Sequence, residues 1–392
     1  MTLIVTVERR YLKYNSEYYL EGVEDYSFFN RYLTVFDTVY VLARCSEVER
    51  IKPSYCKFNA GPNVFILPIE TKGTGALSIL NIFFTLSKKH IQDSHIILRT
   101  PGTLAYLVYF ASTFFRYQFS LEIVTDPEQE ANSITPYKII NSFYSKFFHW
   151  VFIRQLKNCK AASFVTTHQL QDKYLTDKQR PLKKFSFSYS SLDLPLNHFI
   201  TEAELTHKLS NFSTNDNITI TFIGDLNRPF KGLDVLLKAM TLLDTKYKLQ
   251  IIGDGKLMKH YQSLTHQLLV QDRVFFIGYI KDTDLKFRLL KSSHLLVLPS
   301  RREGLPRVLI EAMASGLPCI ATRVSGVLEL IEDKFVVSVD DYKAISCKIN
   351  LLMQNPEAYK EASFRNLYFS YKYEKTSMQL LRDDYYQYCL SK

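Results

Sequence analysis

The sequence lacks the features of a secreted, zinc-binding or membrane-spanning protein. Its six cysteines (45, 56, 159, 319, 347 and 389) occur singly, without the paired spacing of a metal site or a disulfide framework, and are typical of reduced thiols in a cytosolic protein. The first apolar run, LIVTV in residues 3–7, is too short for a signal peptide and predicts a buried strand. The longest charge-free stretch, 100–115, is shorter than the roughly 20 apolar residues of a spanning helix. We therefore expect a cytoplasmic chain without a transmembrane segment.

Acidic residues are scarce in one segment of a chain whose net charge is +10. Between Lys138 and Lys184, ten Lys and Arg residues stand against two Asp. Such a run is usually a solvated face, and no nucleic-acid reader motif accompanies it, so nucleic acid is not an expected partner. Within it, the helical segment 145–160 places several cations and two apolar residues on one side: Lys146, Trp150, Ile153, Arg154, Lys157 and Lys160. The pattern favours a packed helix of the first domain, and the alternative is an interfacial helix on the inner face of the membrane.

Short apolar runs alternate with helix-patterned segments in two successive sets. This alternation predicts an α/β protein with two Rossmann-like, doubly wound parallel-sheet domains. The predicted boundaries are an N-terminal domain at 1–196, a polar linker at 197–217 and a C-terminal domain at 218–371. The amphipathic helix at 372–392 is expected to pack back on the first domain.

The stretch SRREGLPRVLIEAMASGLP (300–318) follows a predicted buried strand and contains two separated acids. Glu303 lies in the turn, at the carboxyl end of that strand, where open α/β sheets bind ligands. Pro306 suits the start of the following helix, and Glu311 lies inside it. The helix start attracts anions such as phosphate, although a proline-started helix with an acid near its dipole explains the same pattern equally well.

A second strand-to-helix loop, in ITFIGDLNRPFKGLDVLLKAM (220–240), carries two cations. The strand ends at Gly224, the loop contains Arg228 and Lys231, and Gly232 opens the helix. Arginine binds a diphosphate as a fork and lysine binds it as a point charge. Because both loops follow strands of the same domain, together they predict a binding site for a nucleotide diphosphate.

These segments, together with LQIIGDG and VFFIGYI, resemble the donor-binding half of family-4 glycosyltransferases of the group 1 type. The similarity covers most of residues 218–340 and includes the paired glutamates of that family. It implies the GT-B fold, with two domains facing a central cleft, and a retaining, hexosyltransferase-type enzyme that needs no metal. The donor would be a nucleotide-diphosphate sugar, with uridine as the usual base.

The resemblance also implies roles for individual residues. Lys231 would hold the diphosphate, Glu303 would face the donor sugar, and Glu311 would bind the ribose hydroxyls. The remaining implied donor contacts are the strand-end Gly224, the amides of Gly304 and Leu305, and the backbone around Ile280 near the base.

The chain departs from the family pattern at two places that concern the site. Asp225 stands where arginine usually follows the strand glycine, which leaves the missing guanidinium to Arg228 or to Arg301 and Arg302. In the first domain, Asp126 of LEIVTDPEQE stands where many relatives have a catalytic-region histidine. Asp126 is therefore a candidate catalytic or acceptor-side residue, and a plain Asp–Pro turn is an equally good interpretation.

Other motifs are given structural interpretations. The metal-like DTD at 282–284 is predicted to cap a helix, and His149, His168 and His294 have no partner at a recognisable spacing. Arg99 of LRTPGTL is predicted to form a structural ion pair. Gly22 and the glycines of KGTG (72–75) are predicted turn residues.

From these observations we predict a glycosyltransferase of surface polysaccharide assembly, acting on a saccharide or lipid-linked acceptor. Two alternatives stay open. One is a non-catalytic nucleotide-sugar-binding relative, suggested by the missing arginine and an altered glycine pattern. The other is a nucleotide-sugar epimerase of the same fold.

Overall fold

The computed structural model divides the chain into two compact units, each with its own core. It describes residues 1–20, 24–51, 55–58, 61–70, 76–87, 93–131, 138–175, 185–212 and 217–391. The first unit consists of residues 1–191 and 379–392, and the second consists of residues 192–378. Gly22 and residues 72–75, predicted as turn glycines, lie outside the described residues.

The first unit is built on a mixed sheet that is mainly parallel. Its strands are β1 (Thr2–Tyr14), β2 (Glu17–Leu20), β3 (Thr38–Glu47), β4 (Cys56–Lys57), β5 (Val64–Glu70), β6 (His95–Thr100), β7 (Phe119–Ile123), β8 (Ala162–Phe164) and β9 (Ser186–Ser188). The parallel order is β5-β3-β1-β6-β7-β8-β9. The short strand β2 pairs antiparallel with the carboxyl-terminal end of β1, and β4 pairs antiparallel with β2.

Helices of the first unit cover this sheet and bury its apolar side chains. They are α1 (Tyr26–Phe29), α2 (Ala76–Leu86), α3 (Thr103–Phe115), α4 (Pro127–Ala131), α5 (Lys138–Asn158) and α6 (Gln169–Tyr174). Connections from β5 through β8 all move in one direction along the sheet, so right-handed crossovers put α2, α3 and α5 on one face. Phe83 of α2 packs on Phe114 of α3, and Tyr106 of α3 stacks on Phe148 of α5.

The second unit is an all-parallel sheet with helices between the strands. Its strands are β10 (Ile218–Ile223), β11 (Tyr247–Ile252), β12 (Val274–Gly278), β13 (Leu295–Leu298), β14 (Cys319–Thr322) and β15 (Val336–Val337), in the order β12-β11-β10-β13-β14-β15. Its helices are α7 (Glu202–Ser210), α8 (Leu233–Met240), α9 (Met258–Gln267), α10 (Thr283–Ser292), α11 (Arg307–Ala314), α12 (Tyr342–Met353) and α13 (Pro356–Ser370). Strands and helices alternate in both units, and the fold class predicted from the sequence is confirmed.

The polar stretch 197–217 belongs to the second unit instead of forming the predicted linker. Its helix α7 begins with a capping box in which Thr201 and Glu204 satisfy each other's backbone N–H groups. Leu205 is fully buried, and a Cβ placed on Gly316 would lie 2.8 Å from its side chain. Because only one face of α7 is apolar, the segment is polar on average and still packs. Residues 213–216 lie outside the described part of the chain.

The terminal helix α14 (Lys375–Leu390) packs on the first unit from Gln379 onward. Its Tyr386 ring lies 4.9 Å from the Tyr32 ring and 6.0 Å from the Phe36 ring, centroid to centroid. The Tyr385 hydroxyl donates a 2.9 Å hydrogen bond to the Leu121 carbonyl of β7. No helix among the described residues is long and apolar enough to span a bilayer.

His95 of β6 links the stability of the first unit to pH. The imidazole is buried, its Nε2 lies 3.0 Å from the Ser120 hydroxyl, and burial, with the Lys160 charge, lowers its pKa to about 4. Between pH 6.5 and 4 the unfolded chain therefore binds a proton that the folded chain does not, so stability is lost as the pH falls. We expect the free energy of unfolding to fall by about 2 kcal/mol from this group between pH 7 and 5.

The measurement is urea denaturation of the full chain at several pH values, followed by the fluorescence of Trp150 in the first unit. His95→Gln should flatten the acid side of the pH profile, whereas His260→Gln, at an exposed histidine, should leave it unchanged. An unchanged profile in His95→Gln would contradict the assignment.

Candidate functional site

The loop between β10 and α8 is a tight turn that brings Lys231 back over the sheet edge. Pro229–Lys231 forms one turn of 3-10 helix, and Gly232 then takes a left-handed conformation with φ of +70°. A Cβ on Gly232 would lie 2.0 Å from the carbonyl oxygen of Pro299, which follows β13. Only glycine allows this close approach, so the turn after β10 packs directly against the turn after β13.

Lys231 and Glu303, predicted from separate motifs, meet at this place. The Lys231 Nζ lies 2.6 Å from Glu303 Oε1, and the Ser300 hydroxyl donates a 2.7 Å hydrogen bond to the same oxygen. The side chains of Lys231 and Glu303 are 17% and 10% exposed. A cation and an anion are thus held together at the carboxyl ends of two adjacent parallel strands, with a small part of each open to solvent.

Arg301 anchors the turn that carries Lys231. Its guanidinium binds Asp234 in a bidentate pair at 2.7 and 3.0 Å, Asp340 at 2.7 Å and the Pro229 carbonyl at 2.7 Å. Four of its five N–H donors are therefore used inside the second unit. The pKa of Arg301 is raised, and the hydrogen bonds to Asp234 are the largest cause. This arrangement argues against the predicted contact of Arg301 with a diphosphate.

The other arginine candidates stand in different surroundings. Arg228 precedes the 3-10 turn and is exposed. Arg302 is half-buried, and its guanidinium lies 4.9 Å from the centroid of the Phe230 ring. Asp225, at the family's arginine position, accepts hydrogen bonds from the backbone and side-chain nitrogens of Asn227 at 2.8 and 2.6 Å. Asp225 therefore shapes the loop, and Arg228 is the exposed cation that the loop offers.

Glu311 lies in α11, the helix that follows the Glu303 turn, and it has a lysine partner that the sequence did not predict. α11 begins at Arg307, after Pro306, and its first turn contains no acidic residue. The Glu311 carboxylate is 9% exposed, and its Oε1 lies 2.9 Å from Nζ of Lys286 on α10. The ion pair with Lys286 holds the Glu311 carboxylate in a fixed place. Because Glu311 lies beyond the first turn of α11, its charge does not offset the positive end of the helix dipole.

The remaining donor-site candidates are backbone positions at the same edge of the sheet. Gly224 donates its N–H to the Ile252 carbonyl at 3.0 Å, and a Cβ on it would lie 3.2 Å from Cγ of Lys231. A Cβ on Gly326 would lie 2.0 Å from the carbonyl oxygen of Gly304, so this turn also needs glycine. Leu305 and Ile280 are both half-buried in loops that follow strands of this sheet.

Asp126 of the first unit is a covered carboxylate. It is 2% exposed and follows β7. Its Oδ1 accepts from the Tyr174 hydroxyl at 2.5 Å and the Glu128 amide at 3.0 Å, and its Oδ2 pairs with Lys173 at 2.8 Å. Burial opposes the charge of Lys173, but its hydrogen bonds to Asp126 and Glu128 raise its pKa. Both carboxylate oxygens are in use, which favours the structural Asp–Pro turn over direct contact with a substrate.

Arg99 forms the predicted structural ion pair, in a buried network. Its NH1 lies 3.1 Å from Glu24 and its Nε lies 3.3 Å from Glu122. Glu122 also accepts hydrogen bonds from the hydroxyls of Tyr32 and Tyr189. Burial opposes the Arg99 charge, but the surrounding acids, Glu24 first, raise its pKa.

The structure also shows the partners of the DTD motif and of His149. Asp282 of DTD caps α10 by accepting hydrogen bonds from the amides of Asp284 and Leu285, as predicted. His149, predicted to lack a carboxylate partner, has its Nδ1 3.1 Å from Glu128 Oε1. The two residues lie on α5 and α4, and their 21-residue separation gives no local spacing signal.

Comparison with known proteins identifies the segment that carries the Lys231 and Glu303 turns. Residues 205–365 match the family model described as glycosyl transferases group 1. An uncharacterized glycosyltransferase of Haemophilus influenzae is 34% identical over an alignment of 201 residues that covers 44% of this chain and 56% of that protein. The capsular polysaccharide biosynthesis glycosyltransferase CapM of Staphylococcus aureus is 30% identical over 170 residues, 42% of each chain. The chain thus spans about half the length of these curated relatives.

A solved structure extends the likeness to both units. Anabaena HepE, crystallised in complex with UDP, superimposes with a TM-score of 0.68 at 14% identity, covering 98% of this chain and 99% of that one. At this identity the likeness concerns the fold, and it includes the first unit, which the family model does not reach. The chain has the GT-B fold, and residues 205–365 of its second unit are similar to the glycosyl transferases of group 1.

Proposed function

We propose that the chain is a retaining glycosyltransferase of the hexosyltransferase type. It would transfer a sugar from a nucleotide-diphosphate donor to a saccharide or lipid-linked acceptor in surface polysaccharide assembly. The observation that carries the proposal is the Lys231–Glu303 pair at the carboxyl ends of β10 and β13. The match of residues 205–365 to the group 1 family model and the polysaccharide role of CapM support it.

In this proposal Lys231 leaves Glu303 and binds the donor diphosphate, while Glu303 turns to the sugar. The Lys231 ammonium is a compact charge on a rigid turn, suited to the phosphate oxygens that gain negative charge as the sugar leaves. Arg228 supplies the second cation, since Arg301 is occupied by Asp234 and Asp340. The amides of Gly304 and Leu305, just before α11, add donors at the positive end of a helix.

Glu311 and the backbone near Ile280 complete the donor site on the nucleoside side. Lys286 holds the Glu311 carboxylate so that it can accept hydrogen bonds from two ribose hydroxyls. The base is proposed to be uracil, which is supported by the UDP bound to the HepE structure. The departing phosphate oxygen takes the proton of the acceptor hydroxyl as the new glycosidic bond forms and the sugar–phosphate bond breaks. The proposal includes no metal, because Lys231 and Arg228 supply the positive charge.

The test is release of nucleotide diphosphate from a panel of UDP-, GDP- and dTDP-sugars, with and without acceptor extract and with excess EDTA. We expect release from at least one donor, stimulated by extract and unchanged by EDTA. Binding without any release would support the non-catalytic relative instead. Conversion of the donor sugar to its epimer without release would support the epimerase.

We further propose that the first unit docks on an anionic membrane surface through α2, α3 and α5. Large aromatic side chains stand exposed on these adjacent helices: Phe84, Phe110, Phe114, Phe147 and Trp150. Exposed cations accompany them: Arg116, Lys146, Arg154 and Lys157. Aromatic anchors beside cations are what an interfacial surface presents to anionic lipid.

Two residues of the predicted helix face do not take part. The Lys160 ammonium donates a 3.0 Å hydrogen bond to the Cys389 carbonyl, and Ile153 packs against the core of the first unit. Trp150 is 46% exposed, with the Arg154 guanidinium 4.5 Å above its ring. Trp150 and Lys157 are both exposed, so they are not packed together in the interior.

Reversing one charge on this surface should weaken lipid binding measurably. We expect Lys157→Glu to lower binding to phosphatidylglycerol-containing vesicles about 30-fold, because each cation near an anionic leaflet contributes about 1 kcal/mol and reversal changes the charge by two units. Vesicle flotation measures the effect. Leu351→Ala, at an exposed apolar residue of the second unit, should bind like the original protein. Equal binding of Lys157→Glu would contradict the proposal.

A further inference from the structure

Strand β1 contains an irregularity at three consecutive charged residues. It pairs with β3 in register up to Val7 opposite Ala43 and resumes at Tyr11 opposite Cys45. Three residues, Glu8–Arg10, therefore stand opposite the single residue Arg44, two more than a regular ladder accommodates. Such bulges bend a strand and redirect its side chains, and they often lie beside functional sites.

The redirected residues line a pocket at the carboxyl end of the first sheet. β1 pairs with β6 only over residues 3–5, and the carboxyl-terminal part of β1 pairs with β2 instead. This part of β1 therefore forms one side of a pocket beside the carboxyl ends of β6 and β7. The space enclosed is about 510 Å³, within the range of small-molecule sites. Its lining includes Glu8, Arg9, Arg10, Glu24 and Arg99.

One of the two acids in this lining is neutralised by the fold itself. Glu8 is ion-paired with Arg44, and its Oε1 accepts hydrogen bonds from the amides of Leu104 and Ala105 at the start of α3, at 2.7 and 3.1 Å. A Cβ on Gly102 would lie 2.2 Å from Cγ of Glu8, so this contact requires glycine. The pKa of Glu8 is raised, mainly because the carboxyl group is buried. Glu8 is therefore a structural residue of the pocket lining.

Arg9 and Arg99 of the pocket have acidic partners, whereas Arg10 has none among the described residues. Glu24 bridges Arg9 at 2.5 Å and Arg99 at 3.1 Å. Arg10 is exposed and donates a 3.2 Å hydrogen bond to the Ser46 hydroxyl; it has no carboxylate partner in the described part of the chain. The Arg9 side chain is 41% exposed. Guanidinium groups with exposed N–H donors bind carboxylates and phosphates as forks.

We propose that this pocket binds the anionic group, a carboxylate or a phosphate ester, of the acceptor. The inference rests on the proposed function, in which the donor diphosphate is held by Lys231 of the second unit. Arg10 and Arg9 would contact the anion, while Arg99 and Glu24 keep Arg9 in position. An acidic acceptor would therefore be preferred to its neutral counterpart.

The test uses the full chain saturated with UDP, so that the donor site is filled. The probes are methyl glucuronide for the carboxylate, phenyl phosphate for the phosphate ester and methyl glucoside as the neutral counterpart, with binding followed by NMR titration. We expect one or both anionic probes to bind at least about tenfold more tightly than methyl glucoside. The tighter of the two identifies the preferred anion.

Variants assign the binding to the pocket. Arg10→Gln should weaken binding of the preferred anion about tenfold, and Arg50→Gln, at an exposed arginine of the same unit that does not line the pocket, should not. UDP affinity should be equal in both. Equal or absent binding of all three probes, or no effect of Arg10→Gln, overturns the inference.

This outcome is separable from failure of the proposed function. Anion binding that depends on Arg10, in a protein that releases no nucleotide from any donor, would overturn the proposed function while the pocket stands. Transfer to neutral acceptors at a rate that Arg10→Gln leaves unchanged would overturn the pocket while the proposed function stands.

Discussion

Lys231→Ala is expected to lower kcat/KM for nucleotide release about 100- to 1,000-fold. Removing one preorganised donor aimed at developing charge commonly costs that much, because water cannot take over the role of a fixed cation. Here the turn at Gly232 and the Arg301–Asp234 clamp fix Lys231 before the donor arrives. The measurement is steady-state release of nucleotide diphosphate from the donor found in the panel.

Two further variants separate charge from shape at this position. Lys231→Arg keeps the charge but places a planar fork where a compact ammonium lies 2.6 Å from Glu303, so we expect partial activity. Glu303→Gln keeps the shape, removes the negative charge that we propose faces the sugar, and should lower kcat more than it raises KM. Lys238→Ala, at an exposed lysine of α8, is the control. Full activity in Lys231→Ala would refute the assigned role.

The sequence predicted that Lys231 and Glu303 lie at one edge of the sheet because each lies within a few residues of a strand end. Glu303 and Lys231 are 72 positions apart, yet each follows a buried apolar run, and parallel strands bring their carboxyl ends to one edge. Local pattern therefore predicts the meeting place. It cannot predict which side chains pair there, and the Ser300 and Lys286 partners were missed for that reason.

Arg301 shows the limit of local reasoning most clearly. In the sequence it is one of two arginines beside a candidate glutamate, and both qualify as phosphate ligands. Its carboxylate partners lie 67 and 39 positions away, at Asp234 and Asp340. Only the packing of α8 beside the turn after β13 decides that Arg301 anchors the loop.

The first unit was harder to predict because its site depends on register. The outer half of β1, ERRYLKY in residues 8–14, mixes charged and aromatic residues and does not form an apolar run, so the predicted strand ended at Val7. In the structure, Asn15 and Ser16 turn the chain with φ of +47° and +64°, and β2 returns along β1. Pairing partners distant in sequence, β3 and β4, determine this shape.

Gly232→Ala is expected to destabilise the second unit by about 3 kcal/mol or more, and to reduce donor binding with it. A left-handed conformation costs a residue with a Cβ about 1–2 kcal/mol. At Gly232 the added Cβ would also lie 2.0 Å from the Pro299 carbonyl oxygen, which is backbone and cannot rotate away. The turns after β10 and β13 would have to separate, and Lys231 would move from Glu303.

Gly278→Ala is the matched control for this effect. Gly278 also has a positive φ, +83°, but a Cβ added there would have no atom within 4 Å among the described residues. It should therefore cost only the conformational part, about 1–2 kcal/mol. The urea dependence of hydrogen exchange in peptides from β10 to β14 of the full chain measures both variants. Equal destabilisation by the two would show that contact with Pro299 does not hold the Lys231 turn in place. A larger loss in Gly232→Ala, together with a weaker affinity for UDP, would show that packing between the two turns positions Lys231.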